Sequence, residues 1–429
     1  LMRFASAATP SWFRRLPLAA PAAASAHGLR MLVNLVIIKM IAVVLGPAGL
    51  GAIGNLLSVL SVVMVFAGGG IANGIAKYVA QYRQRPRHMV RLLETAFAIG
   101  FAMSGVIMGI SILAARPIAI ALFNTASLWW LSPLLGVAHF ACFLGTATIA
   151  IANGQQRSDL FAAISISAYL VCLPAAFVLI HVFGFAGAAL ALMFMAGCTA
   201  LPSLWLLLRA PVRRVLRLRF HHPETKQLIR FGAMTFISAL TFPIAEILVR
   251  TAVTGSLGIE QAGIWQASIR LSSAIMGFCT VYLATSYMPR LSAMTEPDTA
   301  FHFVLRTIIR IGLIFMVIAF AVYAARGLVV PLLFSRTFAP LEPLMGWQLT
   351  GDLFRVCAYV IGFFVIARAK LALHIGAELV QYLLYACISI AIVHAGGDLA
   401  DVVRGYVLSN GLYFTIALSW LLLRGKQMR

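Results

Sequence analysis

The chain has 429 residues, 62% of them hydrophobic and only 10% charged, with a mean hydropathy of +0.96. Soluble domains carry about 45–50% apolar and about 25% charged residues, so a soluble globular protein is excluded and a polytopic membrane protein is indicated. The net charge of +21 raises nucleic acid as a partner, but the cations follow a different rule. Of the 33 Lys and Arg, 25 lie in an N-terminal arm, in alternate loops or in the C-terminal tail. Arg116, Arg326, Arg336 and Arg404 lie in the opposite loops, and Lys39, Arg250, Arg270 and Arg355 fall inside helices. That bias puts the cation-rich loops and both termini in the cytoplasm. No nucleic acid is needed to explain it.

In chain order, residues 1–28 read as a cytoplasmic arm. Its Arg14-Arg15 before LPLAAPAAASA has the look of a signal peptide, but proline breaks the apolar part and a span follows directly. Hydropathy then predicts twelve spans, each near the roughly 20 residues a bilayer needs. They run over 29–46, 52–76, 91–114, 128–152, 159–181, 184–208, 228–252, 262–289, 304–325, 343–367, 371–394 and 400–423. The expected fold is an all-α polytopic membrane protein with twelve transmembrane helices in two six-helix lobes. The N-terminal lobe covers 29–208, a basic cytoplasmic linker 209–227, and a C-terminal lobe with a short tail 228–429. The inner loop from Arg209 to Arg230 holds seven Lys/Arg and His221-His222, and reads as an anchor on anionic lipid.

The two halves repeat. Leu45-Gly46-Pro47-Ala48-Gly49 matches the stretch from Leu257-Gly258 to Ala262-Gly263 with a two-residue insertion. Ala115-Arg116 with Leu122-Phe123 matches Ala325-Arg326 with Leu333-Phe334, and WLLLR recurs at 205–209 and 420–424. Six spans per repeat make the repeats parallel, about an axis along the membrane normal. Transporters that alternate access are built this way, with the site between the halves.

Ionised side chains at helix centres cost roughly 2.5–3.5 kcal/mol each on insertion scales, so they mark functional sites by default. Lys39 lies mid-span, and the repeat overlay sets it within one residue of Arg250 on span 7. Glu246 and Arg250 are spaced i,i+4; Gln266 and Arg270 share a face of span 8; Asn73 and Lys77 share one at the inner end of span 2. The densest stretch is 347–385. There Gln348, Asp352, Arg355 and Tyr359 form one stripe, the turn Arg368-Ala369-Lys370 follows, and Glu378, Gln381, Tyr382 and Tyr385 form a second. If these faces converge, the cavity sets Lys39, Arg250, Arg270 and Arg355 against Glu246, Asp352 and Glu378. A guanidinium-rich site suits phosphate or pyrophosphate, with the acids balancing charge or carrying a coupling proton. Blander readings stand beside this. Lys77 snorkels to the interface, Glu246–Arg250 and Asp352–Arg355 are intrahelical pairs, and Glu94 and Asp159 are interfacial. Pro174 and Pro243 are expected to kink spans 5 and 7.

Several signatures are missing. There is no Walker A loop, HExxH or nucleophile elbow, and the loops are too short to carry a catalytic centre, which argues against an enzyme. The six cysteines fall in apolar spans without a CxxC pair and read as buried free thiols, and no metal or cofactor is expected. Gly68-Gly69-Gly70 reads as close helix packing or a flexible point.

The segments GPAGLG (46–51), GIANGIAKYVAQY (70–82), AGIWQ (262–266) and WQLTGDLFRVCAYVIGFFVIARAKL followed by AELVQ resemble the Wzx-type polysaccharide flippases. The similarity runs from about Leu35 to Leu423. That resemblance implies a MATE-like fold of the multidrug/oligosaccharidyl-lipid/polysaccharide exporter superfamily, two six-helix lobes in a V. It also implies that an undecaprenyl-pyrophosphate-linked oligosaccharide, a lipid III or O-antigen-like repeat unit, moves from the cytoplasmic to the periplasmic leaflet of the bacterial inner membrane. Pyrophosphate and sugars would pass the cationic cavity while the polyprenyl tail stays among membrane lipids. Polysaccharide polymerase and chain-length proteins are the partners the family implies. Asn73, Lys77, Gln266, Asp352, Arg355 and Glu378 stand in matched motifs, and Lys39 and Arg250 in weaker ones. Arg270 is a departure: the family pattern has polar or acidic residues around that turn, and Ser272-Ser273 follow it here.

Two rivals make different demands. A MATE-like drug or cation antiporter calls for a net acidic site, whereas this one sets four cations against three acids. A non-transporting scaffold subunit of a glycan assembly complex would tolerate neutral replacement of its intramembrane charges.

Overall fold

The structure, a computed structural model, describes residues 19–69, 71–123, 125–209, 218–294, 296–368 and 370–424. Arg14-Arg15 and the first part of the expected arm lie outside the described residues, as do Gly70, Ala369, 210–217 of the basic linker and the tail from Gly425. Among the described residues there is no strand. The helices are α1 (Ala19–Met64), α2 (Ile71–Gln81), α3 (Pro86–Leu113), α4 (Ala115–Phe123), α5 (Ser132–Gly154), α6 (Ser158–Gly197), α7 (Ala200–Arg209) and α8 (His222–Leu257). They continue with α9 (Ile259–Tyr282), α10 (Met288–Ser292), α11 (Pro297–Ala324), α12 (Arg326–Leu333), α13 (Met345–Ala367), α14 (Leu371–His394) and α15 (Leu399–Arg424). Helix α1 begins at Ala19, inside the stretch expected to be an arm.

Local chemistry sets the helix ends. Proline opens α3 and α11 in the first turn, where its missing N–H removes only a donor that would have no intrahelical partner. Helix α15 starts from a reciprocal cap: the Asp401 amide donates to Asp398 Oδ1 at 2.8 Å, and the Asp398 amide to Asp401 Oδ2 at 3.2 Å. Helices α6 and α8 run on through Pro174 and Pro243.

Ten helical runs among the described residues are long and apolar enough to cross a membrane. The two longest, Ser25–Gln81 with 57 residues and Ser158–Gly197 with 40, each contain a residue off the helical path. Gly46 sits at φ 66, ψ −169 and Gly184 at φ 54, ψ −123. Large side chains such as Leu113 (90% exposed), Phe320 (74%) and Leu423 (79%) point outward, as lipid-facing residues do.

The repeat is written in the backbone as well. Positive φ among glycines occurs at Gly46, Gly184, Gly258 and Gly396, so Gly46 pairs with Gly258 and Gly184 with Gly396 at one and the same offset. Gly258, at φ 90, ψ 166, shares with Gly46 a region of backbone space open essentially to glycine alone. The second span of each half also carries a π-helical turn, Val65–Gly69 and Leu283–Tyr287. Of the Gly68–Gly70 run, Gly68 shows why small residues stand there: a Cβ would lie 2.7 Å from Thr146 Oγ1.

The chain forms two compact units. One holds the residues up to Val44 and Asn55–Leu240; the other holds Leu45–Gly54 and Thr241–Arg429. The first packs Ile75, Leu92, Phe97, Phe143 and Ala147 at its core, and the second Tyr287, Phe301, Phe315, Val356 and Phe364. Leu45–Gly54 is built into the second unit by close backbone packing. A Cβ on Gly263 would lie 1.9 Å from the Pro47 carbonyl oxygen, and one on Gly51 would lie 2.2 Å from that of Ile259. Small residues let such segments touch, which is how helices associate where lipid removes the hydrophobic drive.

Candidate functional site

The second unit buries a chain of hydrogen-bonded polar side chains. Its first part joins α8 and α9. Arg250, fully buried, donates from Nη2 to Glu246 Oε1 at 2.8 Å and to Gln266 Oε1 at 2.6 Å, and from Nη1 to the Gly54 carbonyl. Glu246 Oε1 also accepts from Gln266 Nε2 at 3.1 Å and Arg270 Nη2 at 3.2 Å. One carboxylate oxygen therefore holds two guanidinium groups, and its own side chain is 3% exposed. The indole of Trp265 covers Arg250 at 5.5 Å. The i,i+4 pairing of Glu246 and Arg250 expected from the sequence is present, as part of a larger network that also holds Gln266 and Arg270. Arg270 Nε is buried with no hydrogen-bond partner among the described residues.

The second part joins α9, α13 and α15. Asp352, with no exposed surface, accepts from the Ser272 hydroxyl and from Tyr406 Oη at 2.7 Å. Gln348 Nε2 donates to Ser272 Oγ at 2.7 Å. Arg355 makes no ion pair with Asp352, contrary to the intrahelical pair that their spacing suggests. Its guanidinium donates instead to three phenols: Tyr359 at 3.2 Å, and Tyr406 and Tyr382 at 3.3 Å each. Three aromatic faces close round it, Phe242 at 5.1 Å, Tyr359 at 5.4 Å and Tyr382 at 5.9 Å, within the range where ring quadrupoles stabilise a desolvated cation by up to about 2 kcal/mol or more. Gly351 makes room for this: a Cβ there would lie 2.4 Å from the Tyr406 ring.

The remaining expected residues are spread more widely. Glu378 Oε1 is 3.4 Å from His374 Nε2 on its own helix. Gln381 Nε2 donates to Asn410 Oδ1 at 3.1 Å. Lys39, half-buried on α1, and Asn73 and Lys77, exposed on α2, belong to the first unit; Lys77 Nζ lies 5.3 Å from the Tyr78 ring. Glu94 accepts or shares a proton with His221 Nε2 at 2.8 Å, and Asp159 binds Arg157 at 2.5 Å. The cysteines are free, but Cys387 is exposed and Cys279 half-buried, so the expectation of six buried thiols holds for four. Cys387 lies one turn beyond exposed Leu383 on an outward face of α14. Among the described residues no group of His, Cys, Asp and Glu is placed to hold a metal ion.

Tyr406 and Asn410 escaped the sequence reading. They share a face of α15 at i,i+4, a signal of the kind that revealed Asp352 and Arg355, but neither carries a charge to draw notice.

An interior that sets Glu246 and Asp352 among three arginines on long apolar helices defines an integral membrane protein of the transporter kind. Its fold is that of the MATE transporters. An inward-facing multidrug resistance MATE family transporter of the MOP superfamily superposes with a TM-score of 0.75, 15% identity, and coverage of 93% of this chain and 95% of that one. The chain belongs to the polysaccharide biosynthesis protein family, which it matches over residues 40–343. It is 30% identical over 388 residues to the lipid III flippases of Escherichia coli K12 and Shigella flexneri, covering 89% of this chain and 92% of each of those. These relatives make it a multi-pass transporter rather than a catalyst.

Proposed function

We propose that the chain is a flippase that carries an undecaprenyl-pyrophosphate-linked oligosaccharide, lipid III or an O-antigen-like repeat unit, from the cytoplasmic to the periplasmic leaflet of the bacterial inner membrane. The observation that carries the reading is the 30% identity with lipid III flippases along nearly nine-tenths of the chain. The long runs broken at Gly46 and Gly184 each supply two crossings, giving twelve spans with both termini cytoplasmic. Alternating access between the six-helix lobes, 29–208 and 228–429 about the linker 209–227, moves the headgroup.

In this reading Arg250, Arg270 and Arg355, with Lys39, Asn73, Lys77 and Gln266, bind the pyrophosphate and its sugars. The open Nε donor of Arg270 supports that role, because a buried guanidinium with an unused N–H gains a charge-assisted bond from an arriving phosphate oxygen. Glu246, Asp352 and Glu378 balance charge or carry the coupling ion. Polysaccharide polymerase and chain-length proteins are the partners this function implies.

The test is leaflet-resolved labelling of undecaprenyl-pyrophosphate glycans in vesicles containing the purified protein. Time-dependent appearance of glycan on the far face, lost in Arg355→Ala, is expected. Transport of a cationic dye with no glycan movement would instead favour an antiporter, the reading that the MATE fold alone suggests.

A further inference from the structure

The first unit holds a cavity of about 240 Å³ that plays no part in the polar network of the second. Pockets for drug-sized ligands run to about 300–1,000 Å³, so this one has room for a single ring. Its walls come from the start of α1, from α2, and from the facing ends of α5 and α6. The lining mixes Arg30 with the amides of Asn73 and Asn153 and the hydroxyls of Thr146, Ser165 and Tyr169. Phe161 forms an aromatic wall, stacked at a tilt on His27 with ring centroids 5.3 Å apart.

No carboxylate lines this cavity. The first unit has only Glu94, Asp159 and Glu224 as acids, and the first two are engaged by His221 and Arg157. Arg30 makes no ion pair among the described residues. A lone guanidinium, two amides that each donate and accept, three hydroxyls and an aromatic wall match one class of ligand. Amides and hydroxyls pair with ring hydroxyls, the aromatic face covers the C–H face of the ring, and the guanidinium takes one anionic substituent.

We propose that this cavity binds a single sugar ring bearing one anionic group, a carboxylate or a phosphate. The proposal rests on the flippase reading for its biological sense. The cavity lies at the helix ends near the turns 82–85, with Arg83 and Arg85, and 155–157, with Arg157, the side assigned to the cytoplasm, so it would receive part of the headgroup before translocation.

The full chain in nanodiscs is titrated with radiolabelled glucuronate, with glucose, glucose 1-phosphate and inorganic phosphate as competitors. Glucuronate is expected to bind saturably, and glucose 1-phosphate to displace it at about tenfold lower concentration than glucose, the worth of one hydrogen bond to a charged group. Arg30→Gln is expected to erase that preference while neutral competition persists. Should Arg30→Gln fail to fold, Asn153→Leu, which fills the cavity from an exposed helix position, is expected to abolish binding with an unchanged melting temperature. Absence of saturable glucuronate binding overturns the proposal, as does displacement by inorganic phosphate as effective as by glucose 1-phosphate, which would reduce the cavity to a bare anion site. Protein that binds glucuronate but does not flip glycan upholds the cavity and removes the flippase reading. Protein that flips without binding does the reverse.

Discussion

Asp352 and Arg355 stand less than one helical turn apart and share a hydrogen-bond partner on another helix. The Tyr406 hydroxyl donates to Asp352 Oδ1 at 2.7 Å and accepts from Arg355 Nη1 at 3.3 Å. One hydroxyl has a single proton and two lone pairs, so a change of charge at either residue alters what Tyr406 can offer the other. Tyr406→Phe keeps the ring against Gly351 and removes the bridge. Glycan flipping is expected to fall by roughly ten- to a hundredfold, the worth of a hydrogen bond to a charged group at about 1.5–3 kcal/mol. Wild-type flipping by this variant would exclude the hydroxyl from the mechanism.

Arg355 is bound by geometry as much as by charge. Its three phenol contacts need a planar fork, which lysine lacks. Arg355→Lys is therefore expected to fail nearly as fully as Arg355→Ala in complementing a flippase-deficient strain, with folded protein present in the membrane for both. Complementation by the lysine variant would reduce Arg355 to a point charge.

Lys39 stands nine residues beyond Arg30 on α1, with no acid at i±3 or i±4. Lys39→Ala is expected to abolish complementation without lowering the amount of protein in the membrane. Full growth with this variant would remove Lys39 from the substrate path.

Glu246 holds two guanidinium groups that would otherwise face each other in a dry interior. Removing one partner of a buried pair costs about 3–5 kcal/mol, so Glu246→Ala is expected to lower the thermal midpoint sharply. Arg270→Gln in the same background should restore part of the loss, because one of the uncompensated charges goes with it. Strictly additive effects in this double-mutant cycle would show that the two residues are not coupled.

Gly46 and Gly258 share a backbone region closed to side chains. Alanine at either is expected to destabilise its unit by about 1–3 kcal/mol, read as a lower midpoint in a thermal-shift assay. Alanine at Gly28, which has open space and an ordinary φ, serves as the control and should leave the midpoint unchanged.

The membrane class, the family and the Glu246–Arg250 contact were legible because each is local: composition, contiguous motifs and an i,i+4 spacing. The repeat was legible at Gly46 and Gly258, where flanking residues match, but not at Gly184 and Gly396, whose immediate neighbours differ. Helical periodicity shows which residues share a face and is silent on which faces meet. Spacing therefore offers Arg355 as a partner for Asp352 beside its charge-balancing role, whereas its hydrogen-bond partners are Ser272 and Tyr406 on other helices. Gly54 gave no signal at all. Its carbonyl serves Arg250 from 196 positions away, and only the folded chain brings them together.

The placement of Leu45–Gly54 bears on how the molecule can be assembled from pieces. A cut in the 210–217 region divides the sequence into halves, but not into self-sufficient bodies. The downstream fragment would lack the carbonyl that completes Arg250 and the backbone against which Gly263 packs. Co-expressed halves should reconstitute only if the upstream fragment threads this decapeptide into its host, and a synthetic copy of it becomes a candidate for restoring a downstream fragment made alone.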